Sequence, residues 1–307
     1  MPRADIKERG AELRAWLFVL PALVLVAAYL VYPTIQTFRV SLFGGTGFNP
    51  TRFVGLRNYL LLLTRDPLFL SVTRWPPSGA LVNNILWLVL FAGGTVLFGL
   101  LIAVLANALK LERVVKSAVF LPMVISSTAA AVIARFLFSP DPSIGVLNAI
   151  LKAVLPGFTP VSWLGTPELV NYAVIATGVW IWTGLSMTIL SAAYKSLDPA
   201  VLEAARVDGA NPWKAFWRIS IPMLAQPIAF VLITMIINSL KMFDLVLVMT
   251  SGGPAGASRV IGFSFYWEVF NNNQVGYGSA VAILMLVLLA PLMAWQVRRI
   301  RRQEAGR

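Results

Sequence analysis

Long apolar stretches separated by short polar segments make up most of the chain. Six of them are long enough to cross about 30 Å of hydrocarbon, a distance that takes roughly 20 residues of helix. The pattern therefore predicts an all-α polytopic membrane protein with about six transmembrane helices. These stretches cover approximately residues 15–38, 81–109, 117–138, 169–194, 219–248 and 276–297.

Four basic residues precede the first apolar stretch, as they do in a cleavable signal sequence. The stretch is too long for such a signal and no small-residue cleavage site follows it. We therefore expect a membrane anchor whose amino terminus stays in the cytoplasm. The basic residues are Arg3, Lys7, Arg9 and Arg14.

Lysines and arginines predict the orientation of the spans, because cytoplasmic loops are enriched in them. With both termini inside, sixteen of these residues fall in cytoplasmic segments and seven in outer ones. The chain then divides into a cytoplasmic tail (1–14), a transmembrane domain (15–297) and a basic cytoplasmic tail (298–307). Within the domain, segment 39–80 is outside and loop 195–218 is cytoplasmic. Five arginines in 39–80 depart from the rule, and we expect that segment to fold partly against the outer membrane surface.

Composition narrows the class of protein further. Of the 307 residues, 58% are hydrophobic and 12% charged, which is typical of an integral membrane protein. The chain has no cysteine and no histidine, so thiol chemistry and a transition-metal site are excluded. The net charge of +12 does not indicate nucleic-acid binding, because the basic residues lie at the edges of apolar spans. No glycine-rich phosphate loop and no base–nucleophile constellation are present, so we expect neither ATP hydrolysis nor other catalysis.

A polar island interrupts the apolar pattern between the fourth and fifth stretches. Asp198-Pro199 is typical of a helix start, Asp208-Gly209 of a helix end, and Asn211-Pro212 of a second start. Two short helices with a bend between them are therefore predicted. Aromatic residues recur at helical spacing on the second helix, namely Trp213, Phe216 and Trp217. Such a surface outside the hydrocarbon predicts contact with a soluble partner, or else a basic amphipathic linker lying on the membrane.

Residues 203–227 of this island resemble the EAA loop of ABC importer permeases, which couples the permease to its ATPase subunit. The glutamate, the two alanines, the glycine and the isoleucine–proline pair of that motif are all present at its spacing. The resemblance implies the architecture of a type I ABC importer permease, in which this loop docks into a cleft of the ATPase. The residues implied in coupling are Glu203, Ala204, Ala205, Asp208, Gly209, Ala210, Trp213 and Phe216.

Shorter motifs along nearly the whole chain resemble permeases of maltose-type carbohydrate importers, with the α-glucoside or oligosaccharide subgroup preferred. They are Tyr32-Pro33, Phe53-Val54-Gly55-Leu56, Asn58-Tyr59, Phe120-Leu121-Pro122, Trp163-Leu164-Gly165 and Ser251-Gly252-Gly253-Pro254. The resemblance implies a second homologous permease, two ATP-binding subunits that hold ATP and magnesium, and an extracytoplasmic sugar-binding protein. The chain itself is expected to bind no cofactor, and membrane lipid surrounds it.

Polar side chains inside the spans are candidates for a substrate pocket, because burying them in lipid is costly unless they face a cavity. This argument selects Trp180, Trp182, Thr183, Ser186, Asn238, Ser239, Lys241 and Asp244. The family resemblance implies an overlapping set: Met123, Ser127, Trp182, Leu185 and the neighbourhood of Asn238 to Lys241. For the serines and threonines, helix packing is an alternative role. Lys241 and Asp244 are three positions apart, so they could instead pair across one helical turn.

Three other functions fit parts of this pattern. A glycerol 3-phosphate importer would use the same motifs, with a lysine in the pocket for the phosphate. A standalone secondary transporter usually shows internal repeats and an intramembrane carboxylate for ion coupling. A membrane anchor for an enzyme is the third. The last two leave the polar island unexplained.

Overall fold

The protein is almost entirely helical, as a computed structural model shows for residues 16–47, 50–71, 79–107 and 109–305. The predicted amino-terminal tail therefore lies outside the described residues, as do residues 306–307 and parts of segment 39–80, whereas the rest of the predicted carboxyl tail continues the last helix. The helices are α1 (Trp16–Ser41), α2 (Arg57–Thr64), α3 (Ala80–Asn107), α4 (Glu112–Val124), α5 (Ser127–Leu137), α6 (Val146–Val154), α7 (Pro167–Lys195), α8 (Pro199–Val207), α9 (Pro212–Met223), α10 (Ala225–Leu240), α11 (Asp244–Thr250), α12 (Ile261–Tyr266) and α13 (Val275–Ala305).

The chain forms two compact units, of which the first comprises residues 1–60 and 266–284. In this unit two short strands, β1 (Phe43–Gly44) and β2 (Arg52–Phe53), pair antiparallel after α1. The buried Asn58 side chain donates to the carbonyl oxygens of Ser41 and Phe43 at 2.8 and 2.9 Å. Because one amide satisfies two backbone carbonyls, it holds the chain that follows α1 in place.

The second unit comprises residues 61–265 and 285–307, and its centre is the pair α3 and α7. These two helices run parallel, because the contacts between them advance along both helices in the same direction. The glycines of α3 let the backbones approach closely, because a Cβ on Gly99 would lie within 2.6 Å of the Ser186 Cβ atom. The contacts in order are Trp87 with Asn171, Gly94 with Val179, and Gly99 with Ser186.

Parallel neighbours require the chain between them to return across the bilayer. That return is made by α4 and α5, which are bent by 104° where Ile125 and Ser126 interrupt the helix. Ser126 caps α5, with its hydroxyl oxygen accepting from the Ala129 N–H at 3.2 Å. The sequence predicted a crossing over 117–138, and the structure divides it between two helices. A single crossing at this place is nevertheless what the parallel arrangement demands.

The fifth crossing is also broken. Helices α9 and α10 are bent by 70° at Leu224, and α10 ends at Leu240 rather than near residue 248. Asp244 opens a separate helix, α11, so the prediction of one fifth helix over 219–248 is wrong. The other four predicted spans are confirmed as α1, α3, α7 and α13, each apolar and long enough to cross. Counting each bent pair once, the described residues hold up to six crossings.

Candidate functional site

The polar island folds as the predicted pair of short helices. Asp198 begins α8, its carboxylate accepting from the Ala200 N–H at 2.9 Å. Gly209 ends it with a left-handed backbone, φ +77°, and the Ala210 N–H reaches back to the Ala205 carbonyl at 2.9 Å. This is a Schellman stop, in which a left-handed residue after the helix lets the next N–H satisfy an open carbonyl. The bend at Gly209 is therefore built into the backbone.

The second helix of the island starts at Asn211. Its side-chain oxygen accepts from the Lys214 N–H at 2.7 Å, and Pro212 occupies the first helical turn. An asparagine cap followed by proline is a strong local start signal, because both satisfy or remove an N–H that the helix cannot pair. The island of residues 198–218, called the coupling segment below, thus follows the sequence prediction in each of its helix ends.

Large apolar side chains of the coupling segment are exposed. Val207 is 87% exposed and Trp213 71%. The rings of Trp213 and Trp217 meet edge to face with centroids 5.7 Å apart, so the two indoles form one surface. Glu203 and Asp208 of the first helix are exposed as well. Large apolar side chains exposed outside a span are typical of a docking site rather than of a solvated loop.

The other side of the coupling segment faces the helix bundle. A largely apolar cavity of about 350 Å³ separates the segment from the ends of α3 and α7. The lining residues are Leu101, Val104, Leu105, Tyr194, Leu202, Ala210, Pro212, Trp213, Ala215, Phe216 and Ser220. Ala205, with 6% of its surface exposed, is buried within the segment. The small residues Ala205 and Ala210 thus lie on the side that faces the bundle, whereas Trp213 lines the cavity with one part of its ring and keeps 71% of its surface exposed.

Sequence reasoning missed an ion-pair cluster at the same end of the bundle. The Glu112 carboxylate binds the ammonium groups of Lys116 and Lys195, the latter at 2.6 Å. Lys116 also donates to Asn107 Oδ1 at 2.8 Å and to the Ser191 hydroxyl. Lys116 and Lys195 lie on different helices and far apart in the sequence, so their spacing gives no signal that they share a partner.

The substrate candidates on α7 do not share one surface. Trp180 and Thr183 line an apolar cavity of about 540 Å³ together with residues of α3 and α4. Trp182 is two positions from Trp180, and therefore about 200° around the helix, so it points elsewhere. Leu185 is half-buried, and Ser186 is fully buried at the close approach to Gly99. The prediction that these residues bind substrate stays a prediction.

The remaining candidates lie at helix breaks. Met123 precedes the bend between α4 and α5, and Ser127 follows it. Helix α11 packs against α5, which brings the element that starts at Asp244 beside the one that starts at Ser127. Asn238 is half-buried near the end of α10.

Lys241 and Asp244 do not pair across a helical turn, contrary to the alternative considered from the sequence. The helix stops at Leu240, and Phe243 has φ −146°, so no continuous turn joins the two residues. Both side chains are exposed, and among the described residues neither has an ion-pair partner.

A buried asparagine network, also missed from the sequence, holds the opposite end of the bundle. Asn83 donates to the carbonyl oxygens of Ala257 and Arg259 at 2.9 and 2.8 Å. Asn171 donates to Asn83 Oδ1 at 3.2 Å and accepts from Trp87 Nε1 at 3.1 Å. Adjacent asparagines at the start of an apolar stretch were the available signal, because a buried amide in lipid requires partners.

Asn84 extends this network to the broken fifth span. Its amide donates to the Ser239 carbonyl at 3.1 Å, and its oxygen accepts from the Ile261 N–H at 2.7 Å. Ser239 is a substrate candidate, but its own hydroxyl donates within α10, to the Ile236 carbonyl at 2.7 Å. The network therefore fixes where α10 ends and hence where Lys241 lies.

Comparison with known proteins gives consistent matches over nearly the whole chain. The family model described as "Binding-protein-dependent transport system inner membrane component" matches residues 68–304. The osmoprotective compounds uptake permease protein GgtC of Synechocystis is 43% identical over 94% of this chain and 99% of its own length. The alpha-glucoside transport system permease protein AglF of Rhizobium meliloti is 36% identical over 96% of this chain and 84% of its own.

The fold also matches a solved structure. A chain of a bacterial alginate ABC transporter, crystallised with an alginate pentasaccharide-bound periplasmic protein, superposes with a TM-score of 0.78. The two chains are 22% identical, and the match covers 96% of each. At this identity the likeness establishes the fold.

Proposed function

Because the chain belongs to the family of inner-membrane components of binding-protein-dependent transport systems, we propose that it is one permease of an ATP-driven carbohydrate importer. The observation that carries this proposal is the coupling segment. It presents exposed indoles and carboxylates on a rigid, capped helix pair, and it joins two membrane crossings directly. A transport subunit that has no phosphate-binding loop needs a surface at which a separate ATPase can bind and move it.

The name of one of these relatives supports a carbohydrate substrate. AglF is named for alpha-glucosides and GgtC for the uptake of osmoprotective compounds. We therefore prefer a neutral, hydroxyl-rich solute such as an α-glucoside to glycerol 3-phosphate. A family of binding-protein-dependent systems also does not support the standalone secondary transporter or the enzyme anchor.

The orientation and partners follow from the same proposal. Both termini and the coupling segment lie in the cytoplasm, and two partner subunits there bind ATP and magnesium. A second homologous permease completes the pathway, and an extracytoplasmic binding protein delivers the solute. Glu203, Asp208 and the exposed face of Trp213 would contact the ATPase, while Ala204, Ala205, Gly209, Ala210 and Phe216 shape the segment.

Transport then requires a pocket whose affinity differs between two states of the complex. The helix breaks support this proposal, since unwound backbone in a membrane is tolerated where it lines a cavity. In this proposal Met123, Ser127, Asn238, Lys241 and Asp244 contribute hydrogen-bonding and contact groups at the breaks. Trp180, Trp182, Leu185, Ser186 and Ser239 complete the set of candidates on α7 and α10.

The coupling proposal is tested with Gly209→Pro in the complex reconstituted with its partners. Proline restricts φ to about −65°, so the left-handed stop at Gly209 cannot form. The matched control is Gly157→Pro: Gly157 also has positive φ (+80°) with open space around it, but lies in the loop after α6. We expect Gly209→Pro to abolish ATP-driven uptake of a labelled α-glucoside at normal complex yield, and Gly157→Pro to retain it.

Glu203→Ala serves as a second, milder variant because the Glu203 side chain is exposed. Uptake at the wild-type rate in both Gly209→Pro and Glu203→Ala would show that the segment does not couple the subunits. Uptake of labelled glycerol 3-phosphate by the wild-type complex, without uptake of labelled α-glucoside, would reverse the choice of substrate class.

A further inference from the structure

The cluster around Glu112 is a junction of three membrane-crossing elements. Asn107 is the last residue of α3, Glu112 and Lys116 lie in the first turns of α4, and Ser191 lies near the end of α7. Lys116 binds across all three, because its ammonium reaches Asn107, Glu112 and Ser191. A single lysine with three oxygen partners uses all three of its donors.

The position of Lys195 links this junction to the coupling segment. Lys195 is the final residue of α7, and Asp198 begins the next helix after a short connection. Its ammonium lies 2.6 Å from the Glu112 carboxylate. Any displacement of the coupling segment therefore acts first on Lys195, and through the shared carboxylate on the start of α4.

At its other end α4 leads to the 104° bend at Ile125 and Ser126, where Met123 and Ser127 are substrate candidates. Helix α4 also packs along α7 through close contacts, since a Cβ on Gly184 would come within 2.9 Å of the Phe120 Cα atom. Side chains packed this closely transmit a shift of one end to the other.

We propose that Glu112 is a positioning residue for transport, tying α4 to the coupling segment through Lys195 so that ATPase motion reaches the bend at Ile125–Ser126. This inference rests on the coupling role proposed above. Stability alone does not account for the cluster, because the side chains of Glu112 and Lys195 are 27% and 55% exposed and such ion pairs add little to stability. In this proposal their opposite charges instead fix the position of α4 relative to the end of α7.

The test uses the reconstituted complex and measures solute taken up per ATP hydrolysed. Glu112→Gln keeps the size of the side chain and removes its charge, and Lys195→Met does the same at the other partner. We expect each to lower uptake per ATP by about two- to thirtyfold, the range typical of residues that carry coupling between sites. The double variant should be no worse than either single one, since the two charges act as a pair.

Lys110→Met is the matched control. Lys110 is an exposed lysine in the same turn of chain, and among the described residues it has no ion-pair partner. It should keep the wild-type ratio. Because Lys195 is half exposed, Lys195→Met decides the question even if Glu112→Gln lowers the yield of complex.

Wild-type uptake per ATP in Lys195→Met, or losses in the single variants that simply add in the double one, would overturn the proposed linkage. Comparison with Gly209→Pro separates the two proposals. If Gly209→Pro uncouples and the Glu112 and Lys195 variants do not, the coupling segment works without this cluster. If Gly209→Pro also leaves transport unchanged, the function proposed for the segment itself has failed.

Discussion

Replacing Asn84 should loosen one end of the bundle selectively. Its side chain is 1% exposed and satisfies the Ser239 carbonyl at 3.1 Å and the Ile261 N–H at 2.7 Å. Leucine has the same branched shape and neither polar atom, so Asn84→Leu leaves the buried Ile261 N–H without this partner, whereas the Ser239 carbonyl still accepts from the Met242 N–H at 3.4 Å. One unsatisfied buried group costs about 1–3 kcal/mol, which is the expected destabilisation.

The assay is limited proteolysis at Arg259, two residues from Ile261. Trypsin cannot reach this site while it is 6% exposed, so cleavage reports opening of the segment between α11 and α12. A local cost of about 2 kcal/mol, the middle of this range, raises the open population about 30-fold, and the cleavage rate of the solubilised complex should rise by about that factor.

Asn148→Leu provides a matched comparison, because the same substitution is made at another fully buried asparagine. Asn148 binds the Ser139 and Val161 carbonyl oxygens at 2.8 and 2.9 Å, around α6. It should expose its own loop and leave Arg259 protected. Equal cleavage at Arg259 in Asn84→Leu and the wild type would refute the role given to the network.

Two further predictions concern α3 and α7. Gly99→Ala should lower the yield of folded complex and its Tm by several degrees, since the new methyl would meet Ser186 and the Met187 backbone N at 2.9 Å. The control is Gly93→Ala, which has open space around it and should leave the yield and the Tm unchanged. Equal Tm values for the two variants would contradict the close approach of α3 and α7. Trp182→Ala should weaken solute uptake at normal yield if its ring faces the pathway, as lost stacking area predicts, and normal uptake with poor assembly would assign Trp182 to helix packing instead.

The coupling segment could be predicted in detail because its determinants are local. Each helix end depends on residues within four positions: Asp198 with Pro199, Asp208 with Gly209, and Asn211 with Pro212. The four unbroken spans were predictable for a similar reason, since an apolar run of sufficient length has few other stable states in a membrane.

The bends and the two polar clusters could not be predicted, because they depend on contacts between distant segments. Hydropathy is the same whether residues 117–138 form one helix or two, and the Ser126 cap is indistinguishable in sequence from a packing serine. Asn84 finds its partner 155 positions away, and Lys116 finds Ser191 at a separation of 75. Neither pairing leaves a periodic signal.

The bundle is fastened differently at its two ends. At one end neutral amides are buried with their partners, and salt does not screen such hydrogen bonds. At the other end the fastening is ionic and partly exposed to solvent, so ions weaken it. Added salt should therefore weaken the ion pairs that join α4 to the end of α7 and leave the asparagine end unchanged. Raising the ionic strength is thus expected to loosen one end of the bundle and not the other.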